Sequence, residues 1–240
     1  MTPNQLAAVN QSLLHSVSAA FHYAWQRRNA IALLLVLLWV PTELCILFVP
    51  EQRSTLVRLG LEGLVEPLWT AALIHLRRHD AAAFQGRVQA SAMQMAMQAL
   101  HRARRSYARL VGIRTVLEFR LWFGLLSLVV PGVIMFTRYA FMDVLAVVRN
   151  VGPTSCRQRS AALVEGRGVG ILMVLLAGML IPMGISELFD WCVEGAASRS
   201  LSVCLRVLAM LPTVVLPLAL FEIYAASSKS AMACSRHSEA

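Results

Sequence analysis

Long apolar runs separated by short arginine-rich segments set the pattern of this chain. The runs cover residues 31–49, 56–76, 117–130, 133–148, 169–189 and 202–226, the second being the weakest. A helix rises 1.5 Å per residue, so about 20 apolar residues cross a hydrocarbon layer about 30 Å thick. The runs are therefore predicted to be transmembrane helices. Residues 117–148 form one apolar stretch broken only by Pro131-Gly132. Proline disfavours the helical conformation in its predecessor and glycine permits a sharp turn, so two short spans joined by a hairpin are expected there. One kinked helix over the same residues is the alternative.

Two further segments carry a helical period without being apolar all round. In 1–28, Leu6, Val9, Leu13, Val17 and Phe21 recur at three- or four-residue spacing, and Tyr23, Trp25, Arg27 and Arg28 close the segment. Aromatic rings beside arginines suit a headgroup layer, so an interfacial amphipathic helix is predicted. In 84–111, Met93, Met97, Leu100, Tyr107 and Val111 fall on one face, and Gln94, Gln98, Arg102, Arg105 and Arg109 on the other. That pattern predicts an amphipathic helix at the cytoplasmic surface or an extension of the following span. The fold class expected is all-α: a polytopic membrane helix bundle of about six transmembrane helices plus these two amphipathic ones. Residues 29–226 form its single membrane domain, and the tail 227–240 reads as disordered.

Composition agrees with lipid as the solvent. Of 240 residues, 58% are hydrophobic and 15% charged, with mean hydropathy +0.62, whereas soluble domains run at about 45–50% apolar and about 25% charged. A net charge of +9 invites a nucleic-acid reading, but the arginines lie between apolar runs instead of along one stripe, so no nucleic-acid partner is expected. The five cysteines form no CxxC pair and read as small packing residues. The first run follows Arg27 and Arg28 and leads into Pro41-Thr42-Glu43 with no small-residue cleavage site, so it is expected to stay as a signal anchor.

The basic residues also set an orientation. With the N-terminus in the cytoplasm, sixteen Lys and Arg fall inside and only Arg53, Arg58 and Arg199 outside, as the positive-inside rule requires. Keeping both 77–112 and 149–167 inside needs an even number of spans, which favours the hairpin at Pro131-Gly132. The expected location is the bacterial inner membrane, multi-pass, with both termini cytoplasmic.

Charges within or beside the spans are the first candidates for chemistry: Glu43, Glu62, Glu66, Arg138, Asp143 and Glu222. Each costs about 2.5–3.5 kcal/mol at mid-membrane on insertion scales. Glu62 and Glu66 share a helix face, with Arg58 one turn earlier. A proton or cation relay is the sharper reading, and an interhelical ion pair with Arg138 or Arg120 the plainer one. His75, His79 and Asp80 have too weak a spacing for zinc and read as interfacial, so no metal or cofactor is expected. Gly166, Gly168 and Gly170 lack the strand and Lys-Ser/Thr of a phosphate loop. Arg102, Arg105 and Arg109 are candidates for anionic headgroups. No Ser-His-Asp order, GxSxG or HExxH occurs, and the chain is read as not an enzyme.

The stretch PGVIMFTRYAFMDVLAVV from Pro131, followed by Ser160, Leu163, Gly166 and Arg167 in RSAALVEGRG, resembles a poorly characterised family of bacterial inner-membrane proteins. That family includes the membrane domain fused to some glycerophosphodiester phosphodiesterases. Its pattern is a Pro-Gly, an arginine six residues on, and a cytoplasmic A-L-x-x-S-x-x-L-x-x-G-R segment. Ala24-Trp25, Arg28-Asn29 and Glu66-Pro67 agree with it, while Arg149-Asn150 stand where the family has a glutamate, and Cys156-Arg157 replace the Ala-Leu. The resemblance implies a six-span helical fold and no activity, since phosphodiester hydrolysis in those fusions belongs to a separate soluble domain. The expected function is therefore a non-enzymatic accessory or envelope-organising membrane protein that contacts membrane lipids, with a membrane-protein partner or a second copy as further partners. The alternative is a small transporter or channel built on Glu62, Glu66 and Arg138.

Overall fold

The computed structural model describes residues 3–49, 51–83, 91–127, 129–149, 152–194 and 199–237. Every described element is helical: α1 (Pro3–Gln26), α2 (Arg28–Leu47), α3 (Glu51–Ala83), α4 (Ala92–Ser127), α5 (Val129–Arg138), α6 (Met142–Arg149), α7 (Pro153–Val164), α8 (Gly168–Glu194), α9 (Arg199–Ala209), a 3-10 turn (Leu211–Val214) and α10 (Val215–His237). Among the described residues four segments are long and apolar enough to cross a membrane: Arg28–Ile46, Val130–Arg149, Gly168–Phe189 and Val203–Ser228. In α8, Ile171 and Leu175 are buried while Val169, Met173, Met179, Leu180, Met183 and Leu188 are exposed. Such an apolar surface needs lipid or a partner to cover it.

The centre of the bundle is α6, whose Met142 and Val144–Val147 are buried between α3, α4, α7 and α10. The same core takes in Ile31, Leu34, Leu38 and Trp39 of α2, Trp69 to Ile74 of α3, and Leu218 to Tyr224 of α10. The pairing of α3 with α4 is the most extensive in the fold. The inner stripe of α4 is Met95, Ala96, Ala99, Ala103, Ser106, Leu110 and Ile113, whereas Met93 and Met97 are half-exposed. The buried face is thus rotated from the large-residue face expected from the sequence. Small side chains at three- and four-residue spacing let two helix backbones approach closely, so packing selects the alanines over the methionines.

The expected amphipathic helix at 84–111 is, from Ala92 onward, the first part of one continuous helix that ends at Ser127; residues 84–90 lie outside the described residues. At the expected hinge, α4 ends at Ser127, and Pro131 sits in the first turn of α5. The first N–H groups of a helix have no intrahelical partner, so a proline there costs no hydrogen bond. Helices α5 and α6 both pack along α4. Arg114, fourteen residues before position 128, meets Asp143, fifteen after it. That register is a hairpin, not one kinked helix.

A second interruption, at Tyr139–Phe141, separates α5 from α6. A third divides the expected span 202–226 into α9, the 3-10 turn and α10. Pro212 and Pro217 there fall at the starts of helical segments, where a missing N–H is tolerated. Helix α1 packs along α10 through a face that includes Leu13, Ser16, Ala20 and Tyr23, leaving Phe21 and Trp25 exposed. The segment read as a disordered tail is helical to His237. Its alanines favour helix, and the Ser227 and Ser228 hydroxyls donate back to the Ile223 and Ala225 carbonyls.

Candidate functional site

Helix α3 carries Arg58, Glu62, Glu66 and Thr70 four residues apart, which places them in one row along the helix. Two ion-pair clusters are built on this row. In the first, Arg58 Nη2 donates to Glu43 Oε2 of α2 at 3.3 Å, and Arg58 Nε lies 3.5 Å from Glu62 Oε1. Glu43 is only 3% exposed, so its charge depends on this partner.

In the second cluster Arg114 of α4 is the hub. Its Nε and Nη2 donate to Asp143 Oδ2 at 2.9 and 2.8 Å. Nη2 also donates to Thr70 Oγ1 at 3.0 Å, and Nη1 lies 2.8 Å from Glu66 Oε1. Three elements, α3, α4 and α6, are thereby tied through one planar donor set, which lysine could not reproduce. Asp143 also stands in the first turn of α6, where the helix dipole favours a negative charge. The cluster contains two carboxylates and one guanidinium, and Glu66 is its most exposed member.

Arg138, the partner expected from the sequence, is exposed, and neither Glu62 nor Glu66 rests on it. What the structure uses at that position is the backbone: Ser160 Oγ donates to the Arg138 carbonyl at 2.7 Å and accepts from the Phe141 N–H at 3.2 Å. The fully buried Ser160 thus closes the break between α5 and α6 from α7. Arg114 was not singled out from the sequence because it follows a run of surface arginines. The usable signal was its place beside Leu110 and Ile113 on the buried stripe. The side chain of Arg120 lies outside the described ones. Gly132 is buried, Pro131 is exposed, and Gly166 adopts φ 76° in the turn after α7, a conformation that favours glycine.

The 3-10 interruption meets α3 at the residue beside Thr70, which Arg114 links to Asp143 of α6. Trp69 Nε1 donates to Thr213 Oγ1 of the 3-10 turn at 3.2 Å, and Thr70 joins the Arg114–Asp143 cluster of α6.

A third polar network closes one end of the bundle. Asp80 Oδ2 accepts from Tyr23 Oη at 3.0 Å and from Arg27 Nε at 2.7 Å. Arg77 pairs with Glu222 and lies over the Tyr23 ring, 4.5 Å from its centroid. Burial, reinforced by the Asp80 carboxylate, pushes the Tyr23 hydroxyl well above its usual range, so it remains a donor. Asp80 is therefore engaged away from His75 and His79. Among the described residues no group of three His, Cys, Asp or Glu side chains converges.

Beyond this network stand arginines on neutral acceptors. Arg78 Nη1 donates to the Val148 carbonyl at 3.4 Å, Arg149 Nε to Tyr224 Oη at 2.9 Å, and Arg167 Nη1 to Ser227 Oγ at 2.9 Å. Of the headgroup candidates, Arg102 and Arg105 are exposed and Arg109 half-buried. Compared with protein-family models, curated proteins and solved structures, the chain shows no significant match to any.

Proposed function

We propose that this chain is a six-span bacterial inner-membrane protein with both termini in the cytoplasm, of the phosphodiesterase-associated membrane family it resembles. It is non-enzymatic, and its role is accessory or envelope-organising, through lipids and a membrane-protein partner or a second copy. One observation supports the span count most directly. Helices α3 and α4 do not reach the apolarity of a span, yet they supply the countercharges for two that do: Arg58 for Glu43, and Arg114 for Asp143. A carboxylate at membrane depth needs its partner at the same depth, which supports α3 and α4 as further spans. The same pairing makes the charges a framework that fixes helix register. Reporter fusions at residues 52, 95, 158, 195 and 238 should read outside, inside, inside, outside, inside. A periplasmic signal at 158 would overturn the topology.

A small transporter is the second reading, favoured by the 3-10 interruption that meets Trp69 beside the Glu66–Arg114–Asp143 cluster and by the α5–α6 break just before Asp143. Discontinuous helices around polar groups are how transporters form midplane sites. Glu66→Gln in proteoliposomes separates the two. Loss of a proton- or cation-linked flux with unchanged thermal stability supports the transporter, and loss of stability alone supports the framework.

A further inference from the structure

Three apolar segments end at one place. Val130–Arg149 finishes on Arg149, Gly168–Phe189 begins one residue after Arg167, and Val203–Ser228 finishes beside Ser227. Arginines at the boundary of an apolar helix stand where lipid phosphates lie. At this end of the bundle Asp80 and Glu222 are held by Arg27 and Arg77. Arg149 and Arg167 are fixed instead by the Tyr224 and Ser227 hydroxyls, three residues apart on α10 and so on one side of it. A neutral anchor positions a guanidinium without cancelling its charge. Among the described residues Arg149 donates its Nε–H to Tyr224, which leaves both of its Nη groups able to donate. Arg78, on the Val148 carbonyl, adds a third charge from α3. The exposed Glu165 is the acidic group nearest in sequence to Arg167.

We propose that Arg149 and Arg167, held on the hydroxyls of Tyr224 and Ser227, bind the phosphate of an anionic phospholipid headgroup, with Arg78 at the edge of the site. Guanidinium matches phosphate bidentately, and two such groups already fixed in place lose little freedom on binding. The site rests on the membrane-spanning reading but not on its orientation. A reversed reporter pattern would overturn the orientation and leave lipid binding unchanged.

The test is native mass spectrometry of the delipidated full chain in mild detergent, titrated with phosphatidylglycerol, phosphatidylcholine or inorganic phosphate. The expected result is phosphatidylglycerol retention at least fivefold above phosphatidylcholine, falling to the phosphatidylcholine level in the Arg149→Gln/Arg167→Gln variant. Should that variant fail to fold, Tyr224→Phe/Ser227→Ala decides, since it keeps both charges and removes their anchors; at least a threefold loss is expected. The exposed pair Arg157→Gln/Arg159→Gln on α7 should bind like the unmodified chain. An equal loss in that pair, or no loss in Tyr224→Phe/Ser227→Ala, would overturn the site in favour of diffuse surface charge. Displacement of the lipid by millimolar inorganic phosphate would overturn the lipid as occupant.

Discussion

Replacing Arg114 by leucine is the sharpest perturbation of the helix framework. The substitution removes one cation from between Glu66 and Asp143 and leaves Thr70 without its donor. Breaking a buried ion pair by deleting one partner costs about 3–5 kcal/mol, because the remaining charge is left uncompensated. A hydrogen bond between helices in a membrane averages about 0.6 kcal/mol, so the Thr70 contact is the minor part. Glu66 is 55% exposed on its side chain against 23% for Asp143, so Asp143 carries most of the penalty. For a chain of this size about 1 kcal/mol corresponds to about 2–4 °C, which puts the expected fall in melting temperature at about 6–20 °C. The assay is scanning fluorimetry in detergent, read from the tryptophans. Thr70→Val should lower the transition by only about 1–2 °C. Adding Asp143→Asn to Arg114→Leu should recover most of the loss, since removing both charges is often close to neutral. A transition for Arg114→Leu within 2 °C of the unmodified chain, or no recovery in the double variant, would refute the framework.

Three more outcomes follow from single contacts. Ser160→Ala leaves the Phe141 N–H and the Arg138 carbonyl without their buried partner, so a loss of about 1–3 kcal/mol is expected, read as a lowered melting temperature; an unchanged transition would show that the α5–α6 break closes without α7. A Cβ on Gly178 would lie 2.7 Å from Leu216 Cδ1 and 3.0 Å from its Cβ. Alanine there gains about 1 kcal/mol of helix propensity but meets an overpacking cost of about 1–3 kcal/mol, so Gly178→Ala should destabilise, with a smaller loss when Leu216→Ala is added. Cys156 is fully buried and burial pushes its thiol up. In a variant whose other cysteines are serine, maleimide should label it at least tenfold more slowly in mild detergent than in SDS, and equal rates would contradict its packed position.

The parts of this fold that were legible in the sequence depend on residues close together in the chain. Apolar runs show as runs, and Arg58, Glu62 and Glu66 declare a shared face through their spacing alone. What was illegible depends on a partner many residues away. The break at Tyr139–Phe141 has no proline or glycine to announce it, and is closed by a serine about twenty residues on. The proline that did announce a break, Pro131, is absorbed into a first helical turn where it disturbs nothing. The alanines of the α4 stripe carry no large side chain that would mark an inner face in the sequence. Between closely approaching helices, smallness is the mark.

The same distinction bears on why, among the described residues, only four segments pass as spans on their own composition while six are proposed. Hydropathy scores each helix against lipid as if its charges faced hydrocarbon unpaired. Arg58 and Arg114 do not: Arg58 meets Glu43 of α2 at 3.3 Å, and Arg114 meets Glu66 of α3 and Asp143 of α6 at 2.8 Å. An apolar helix bearing Glu43, or one bearing Asp143, would itself be costly to insert without that neighbour. The charged helices α3 and α4 and the apolar segments that pass are therefore better counted as pairs, α2 with α3 and α4 with α5–α6. On the proposed topology, each pair becomes compatible with a bilayer only when assembled. Insertion of a fragment ending at Val49 should accordingly be less complete than insertion of one ending at Ala83, because only the longer fragment carries Arg58 to Glu43. Glycosylation-site mapping of the two fragments in a microsomal insertion assay measures the difference. Equal insertion would mean that Glu43 crosses without its partner, and the case for α3 at membrane depth would lose its main support.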